Sequence, residues 1–191
     1  MFLVLVTTGL RRGEALGLRW KDMQLAVPGD VPGVAGDATL TVRETWVCGA
    51  PDTPKSDAGE RTLTLAEFVA DELFQHRARS AFKGDDCRVS CHPQTGNPLN
   101  PQRYAKTLRA ALAKAGVGDL AWPTHDLRVT NATNSWLAGM SKAAMKGRLG
   151  HADFKVTERY INAAGELFPD DAKRLEDRLL GFGHKERHNG R

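Results

Sequence analysis

Two short stretches of this chain alternate apolar and polar residues, and they constrain the fold more than any other feature. Leu40 and Val42 sit among Thr39, Thr41 and Arg43, and Leu63 and Leu65 sit among Arg61, Thr62 and Thr64. Successive side chains of a strand point to opposite faces, so each stretch reads as a strand with one buried face. Pro51 to Gly59, between them, is rich in turn residues and reads as the connection of antiparallel neighbours. Pro28 to Asp37, crowded with glycine and proline, reads as a loop. The expectation is a small antiparallel sheet set in a largely helical chain.

The helical segments follow from apolar spacing. Phe2 to Val6 reads as a buried helix that begins without a cap, because no Ser, Thr, Asp or Asn precedes it. Glu14 to Trp20 reads as a helix after a Gly9-Leu10 turn, and Glu67 to Phe82 as another, with Val69, Leu73 and the stem of His76 along one face. Gly84 to Pro98 is turn-rich. Pro101 to Ala115 has Asn100 as its cap and Pro101 at its first position. Tyr104, Leu108, Ala111, Leu112 and Ala115 line one side of that helix, and Arg103, Lys106 and Arg109 the other. Those cations fit either a nucleic-acid backbone or plain solvation. Thr124 is placed to cap a helix holding His125. Met140 to Leu149 forms a short helix ended by Gly150, and Pro169 to Phe182 a last one, with Leu175, Leu179 and Phe182 in helical phase.

With 191 residues, 41% of them hydrophobic and 26% charged, the chain is long enough for one well-cored domain. The boundaries read as a domain over residues 1–182 and a polar, basic tail over 183–191. The net charge of +4 fits a polyanionic partner without requiring one. Cys48, Cys87 and Cys91 are an odd number without disulfide-framework spacing, which favours a reducing cytoplasm. Cys87, Cys91 and His92 cluster, but a fourth ligand at recognisable spacing is missing, so no metal site is expected. No apolar run approaches the ~18 residues of a membrane span.

The residues that suggest chemistry lie in the second half. His125 and Arg128 are three apart, on one side of a helix, and pair a proton-transfer group with a fixed cation. That pairing suits a phosphate. Leu149-Gly150-His151 and then Tyr160 follow, and a tyrosine held near such a phosphate can attack it. Each of these residues has an ordinary alternative. Arg11 and Arg12 before Glu14 fit surface ion pairs, Lys55 a loop lysine, His151 a helix-end histidine and Tyr160 a core residue.

Taken together, the pattern resembles the catalytic domain of the tyrosine recombinases, the phage integrase family. Thr8-Gly9-Leu10-Arg11-Arg12-Gly13-Glu14-Ala15-Leu16 resembles that family's first arginine box. Thr53-Pro54-Lys55 with Arg61-Thr62-Leu63-Thr64-Leu65 resembles its lysine-bearing hairpin, and His125-Asp126-Leu127-Arg128 its second arginine box. Leu149-Gly150-His151 and Tyr160 complete the set, so the likeness runs from Thr7 to about Ala163. Five motifs in the right order are far more specific than any one alone.

The resemblance implies an α+β, integrase-like fold, mostly helical with a three-stranded antiparallel sheet. It implies a site-specific DNA recombinase or integrase that cleaves and rejoins strands through a 3′-phosphotyrosine. Arg11 and Arg128 would clamp the non-bridging phosphate oxygens, His151 would add a hydrogen bond, and Tyr160 would be the nucleophile. His125 would accept the phenol proton and Lys55 would protonate the leaving 5′ oxygen. Glu14 would orient a catalytic group. Neither cofactor nor metal is implied, because the arginines supply the positive charge. The implied partners are double-stranded DNA and, in the full-length protein, further protomers of a tetramer. Departures are Val129, where many relatives have a second histidine, and the polar Asn131 and Asn134. Relatives also carry an N-terminal DNA-clamping domain, and Met1 stands almost at the first box, so that domain is expected to be absent. The rival readings are a non-catalytic DNA-binding remnant, a type IB topoisomerase-like enzyme and, last, a Cys/His metal protein.

Overall fold

The computed structural model describes residues 1–25, 38–47, 49–52, 60–117 and 122–150. The expected loop at Pro28–Asp37, the helix at Pro169–Phe182 and the tail from 183 onward lie outside the described residues, as do Lys55, His151 and Tyr160. In chain order the elements begin with helices α1 (Phe2–Thr8) and α2 (Arg12–Gly17), a single 3₁₀ turn at Trp20–Asp22, and strand β1 (Met23–Gln24). Strands β2 (Thr39–Val42), β3 (Thr45–Val47), β4 (Ala50–Asp52) and β5 (Arg61–Thr64) come next. Helices α3 (Glu67–Arg79), α4 (Pro101–Lys114), α5 (Pro123–Leu137) and α6 (Lys142–Leu149) follow.

The expected three-stranded antiparallel sheet is present, in the order β1-β2-β5. Leu40 pairs with Leu63 and Val42 with Arg61, so the alternation read from the sequence sets the register. Its third strand, β1, is only two residues long and carries no alternation that a sequence could display. A second, two-stranded sheet pairs β3 with β4, and Trp46 stands opposite Pro51. That hairpin occupies part of the stretch expected to be only a connection. Pro51 cannot donate a ladder hydrogen bond, and a short edge strand tolerates it.

Helix ends follow local chemistry. Asn100 caps α4 as expected, its Oδ1 accepting from the Gln102 and Arg103 amides at 2.9 and 3.1 Å. Thr124 does not cap α5. The helix starts one residue earlier, at Pro123, whose ring presets the first helical φ. α2 ends at Gly17, three residues short of the expected Trp20, because Leu18 is extended and the chain tightens into the 3₁₀ turn. α3 stops at Arg79 instead of Phe82. α6 begins at Lys142, where the Ser141 hydroxyl accepts from the Ala144 amide at 3.2 Å. On α4, Tyr104 and Leu108 are buried while Ala111 and Ala115 are exposed, so the helix runs out past the core.

The main core joins α1, α2, the sheet and α3. Leu5, Leu10, Leu16, Trp20, Leu40, Val42 and Val69 are fully buried within it, each worth ~1.5–3 kcal/mol or more. A smaller cluster of Ala132, Met145 and Leu149, with Trp136 and Met140 against it, holds α6 on α5. Two buried polar ties fix the long-range geometry. The Arg88 guanidinium donates to the Gly17 carbonyl at 2.9 Å and to Glu44 Oε1 at 2.6 Å, and lies 4.3 Å from the Trp46 ring centre. It binds the turn-rich segment to α2 and β3. Asn131 Nδ2 donates to the Val6 carbonyl at 3.0 Å and joins α5 to α1.

Gly9 ends α1 with φ 68°, and an added Cβ there would stand 2.6 Å from Asn131 Oδ1 and 2.7 Å from Leu149 Cδ2. Left-handed φ and lack of space both select glycine. Gly9→Ala is expected to lower the unfolding free energy by about 1–3 kcal/mol, measured by urea denaturation. An unchanged midpoint and slope would contradict this account of the α1–α5 contact.

Candidate active site

Two of the expected site residues, Arg11 and Arg128, converge on the C-terminal end of α6, and a third, Glu14, holds Arg11. Arg11 stands at the N-cap position of α2 with extended backbone. Its amide donates to Glu14 Oε2 at 2.7 Å and its Nη1 to Glu14 Oε1 at 2.9 Å, so Glu14 holds both ends of the residue. Glu14 is buried, and Arg61 approaches it from β5. Arg61 Nη1 and Nη2 donate to the two carboxylate oxygens at 3.2 and 2.9 Å. The fork geometry suits a planar carboxylate. Burial pushes the Glu14 carboxyl up, but the hydrogen bonds and positive charges of Arg61 and Arg11 outweigh it, and the net shift is downward.

A helix leaves its last carbonyls without intrahelical donors. In α6 the left-handed Gly150 amide takes the Lys146 and Gly147 carbonyls, at 3.0 and 3.3 Å. The next three carbonyls each meet a different guanidinium. Arg61 Nε donates to Arg148 O at 2.8 Å, Arg128 Nη2 to Leu149 O at 2.6 Å, and Arg11 Nη2 to Gly150 O at 3.2 Å. The positive charges also sit at the negative end of the helix dipole. Arg128 Nη1 donates in addition to the Gly9 carbonyl, which closes the contact with α1.

His125 and Arg128 share α5 but differ in depth. His125 is exposed in the first turn, and Arg128 is buried beneath it. Burial, and then the charge of Arg11, push the Arg128 guanidinium down to about 10. It stays charged at neutral pH, in a setting that an anion would stabilise. Arg103, Lys106 and Arg109 are all exposed on α4, opposite the buried Tyr104 and Leu108. Among the described residues, no group of three or more His, Cys, Asp or Glu side chains is arranged to hold a metal. No helix among them is long and apolar enough to cross a membrane.

The sequence reading placed Arg61 in a strand but gave it no part in the site. One signal was available. Arg61 is in phase with the buried Leu63 and Leu65, and an arginine on the buried face of a strand needs a partner there. Arg148 was also passed over. It is half-buried, and its Nη2 donates to the Thr7 carbonyl at 2.9 Å, tying α6 to α1.

The phage integrase family model matches residues 37–166, about two thirds of the chain. The chain belongs to the phage integrase family. That match includes the positions of Lys55, Arg61, His125, Arg128, His151 and Tyr160, and Arg11 and Glu14 precede it. The integrase of Mycobacterium phage D29 is 27% identical over 182 residues, covering 91% of this chain and 45% of that protein. The putative prophage phiRv2 integrase of Mycobacterium tuberculosis H37Rv is 30% identical over 158 residues, covering 81% of this chain and 40% of that protein. The chain thus spans less than half the length of these relatives. Among solved structures, the Tn1549 transposon integrase in complex with a circular intermediate DNA superposes with a TM-score of 0.69. It is 22% identical, covering 93% of this chain and 57% of that one, and the likeness supports the integrase-type α+β fold.

The Glu14 cluster makes stability depend on acid. Its folded carboxyl lies below the ordinary 4.5, so its stabilisation is complete above that value and is lost as pH falls through the lower, folded one. Glu14→Gln takes the carboxylate away from the buried Arg61 guanidinium and is expected to cost about 3 kcal/mol at neutral pH. It is also expected to flatten the acid limb of a stability profile taken by denaturant titration. A variant with the parental acid limb would show that Glu14 is not the group responsible.

Proposed function

We propose that residues 1–182 are the catalytic domain of a site-specific DNA recombinase that cleaves and rejoins strands through a 3′-phosphotyrosine. The observation that carries this reading is the placement of Arg11 and Arg128. They come from two separate helices and donate to the adjacent carbonyls Gly150 and Leu149. Two guanidinia fixed side by side suit the non-bridging oxygens of one phosphodiester. The family supplies the rest: the chain continues from Gly150 into His151 and then to Tyr160.

In the proposed reaction the Tyr160 oxygen attacks the phosphorus and the bond to the 5′ oxygen breaks. His125 takes the phenol proton, and Lys55 gives one to the departing 5′ oxygen. His151 and the two arginines hold the charge that builds on the non-bridging oxygens. A phenol ordinarily titrates near pH 10, so cations beside it favour its ionised form. The ester energy is kept in the phosphotyrosine, and attack by a 5′ hydroxyl reverses the step. Double-stranded DNA is the proposed partner, with Arg103, Lys106 and Arg109 along its backbone, and the full-length protein is proposed to act as a tetramer.

Incubated with a pool of nicked duplexes, the protein is expected to form a covalent adduct that survives denaturing electrophoresis. Tyr160→Phe should abolish the adduct while leaving DNA affinity within a few-fold. Adduct from the Phe variant at the parental rate would exclude Tyr160 as nucleophile.

Arg11→Lys and Arg128→Lys keep the charge and lose the planar fork. Each should slow adduct formation by about two to three orders of magnitude. Arg11→Lys should do so with little change in thermal midpoint, since its side chain is half-exposed. Parental rates in both variants would remove the arginine pair from the mechanism.

A further inference from the structure

Arg61 reaches the end of α6 from β5, and the proposed mechanism gives it no part. Its side chain is 7% exposed, and among the described residues its three nitrogens reach Glu14 and the Arg148 carbonyl. Nη1 and Nη2 hold the Glu14 carboxylate, and Nε holds the Arg148 carbonyl at 2.8 Å. Glu14 in turn holds the amide and Nη1 of Arg11, and Arg11 Nη2 reaches the Gly150 carbonyl. The contacts form a closed circuit from Arg61 through Glu14 and Arg11 to Gly150, and back through the α6 backbone to Arg148 and Arg61. Arg11 is half-exposed, and on a surface a flexible cation would sample many positions. The circuit removes that freedom.

We propose that Arg61 is a positioning residue, holding Glu14 and the Arg148 carbonyl together so that Arg11 is fixed in register with the end of α6 from which the chain enters His151. The proposal rests on the recombinase reading for its catalytic consequence, and on the hydrogen-bond circuit alone for the fixing of Arg11. A lysine at this position keeps a charge opposite Glu14 but has one nitrogen where Arg61 uses three. Preorganisation of this kind is sensitive, since a 1 Å misplacement can slow a reaction by about a hundredfold.

The test compares the parent with Arg61→Lys by two readouts. The first is the side-chain nitrogen spectrum of Arg11 without DNA. In the parent, Glu14 and Gly150 hold the two Nη groups separately, so two distinct signals are expected, and in Arg61→Lys they should merge as the group rotates freely. The second is adduct formation on the nicked-duplex pool. The maximal rate should fall by about ten- to a hundredfold, with DNA affinity within a few-fold. In an Arg11→Lys background, adding Arg61→Lys should cost little more, because both changes break the same circuit.

A folded Arg61→Lys variant with parental Arg11 signals overturns the proposal, as does a parental adduct rate where the parent forms adducts. A parent that forms none, but whose Arg11 signals merge in the variant, sinks the recombinase reading and leaves the positioning of Arg11 standing. If Arg61→Lys does not fold, Arg61→Gln, which leaves Glu14 in place on Arg11, is read the same way. Unfolding of that variant as well would make Arg61 purely structural and overturn the proposal.

Discussion

The end of α6 is the point on which the arrangement depends. A helix terminus presents carbonyl oxygens that need donors, and here three are met by guanidinia from β5, α5 and the start of α2. No two of those arginines lie close in sequence. Each is delivered by its own element, and each element is held by the core. Leu40 against Leu63 sets the register that places Arg61, and Asn131 on the Val6 carbonyl sets the depth of α5 that places Arg128. The α6 terminus therefore records whether the three parts of the fold have assembled correctly.

Concentrating cations carries an electrostatic cost, and Glu14 offsets part of it. Its carboxylate lies between Arg61 and Arg11, and it also helps hold Arg128 in its charged form against burial. Among the described residues, one carboxylate among three guanidinia leaves a positive excess. The excess is what a phosphate site needs, because donors fixed in advance do not have to reorganise when negative charge develops.

Much of this fold was legible in the sequence, and the failures share a cause. The alternation around Leu40 and Leu63, and Asn100-Pro101 before α4, are local signals that tertiary contacts did not override. The β3–β4 hairpin was hidden because Ala50, Pro51 and Asp52 have neither strand propensity nor a buried face. Thr124 was a reasonable cap until Pro123, one residue earlier, claimed the first helical position. In the site, Arg11 and Arg128 stood out because their neighbours form recognisable motifs. Arg61 did not, because Glu14 and the Arg148 carbonyl, which it holds, are 47 and 87 residues away and only folding brings them close.

The sheet register also bears on how such a domain can vary. Val42 and Arg61 face each other as the last pair of the β2–β5 ladder, and the 18 residues from Arg43 to Glu60 lie beyond it. The buried leucines of the ladder, not the length of that excursion, decide where Arg61 sits. Closing a longer loop costs only about 0.6 kcal/mol per doubling. Away from Glu44, Trp46 and Lys55, the excursion is therefore a natural place for insertions and deletions, which can accumulate while the arginine behind it keeps its address.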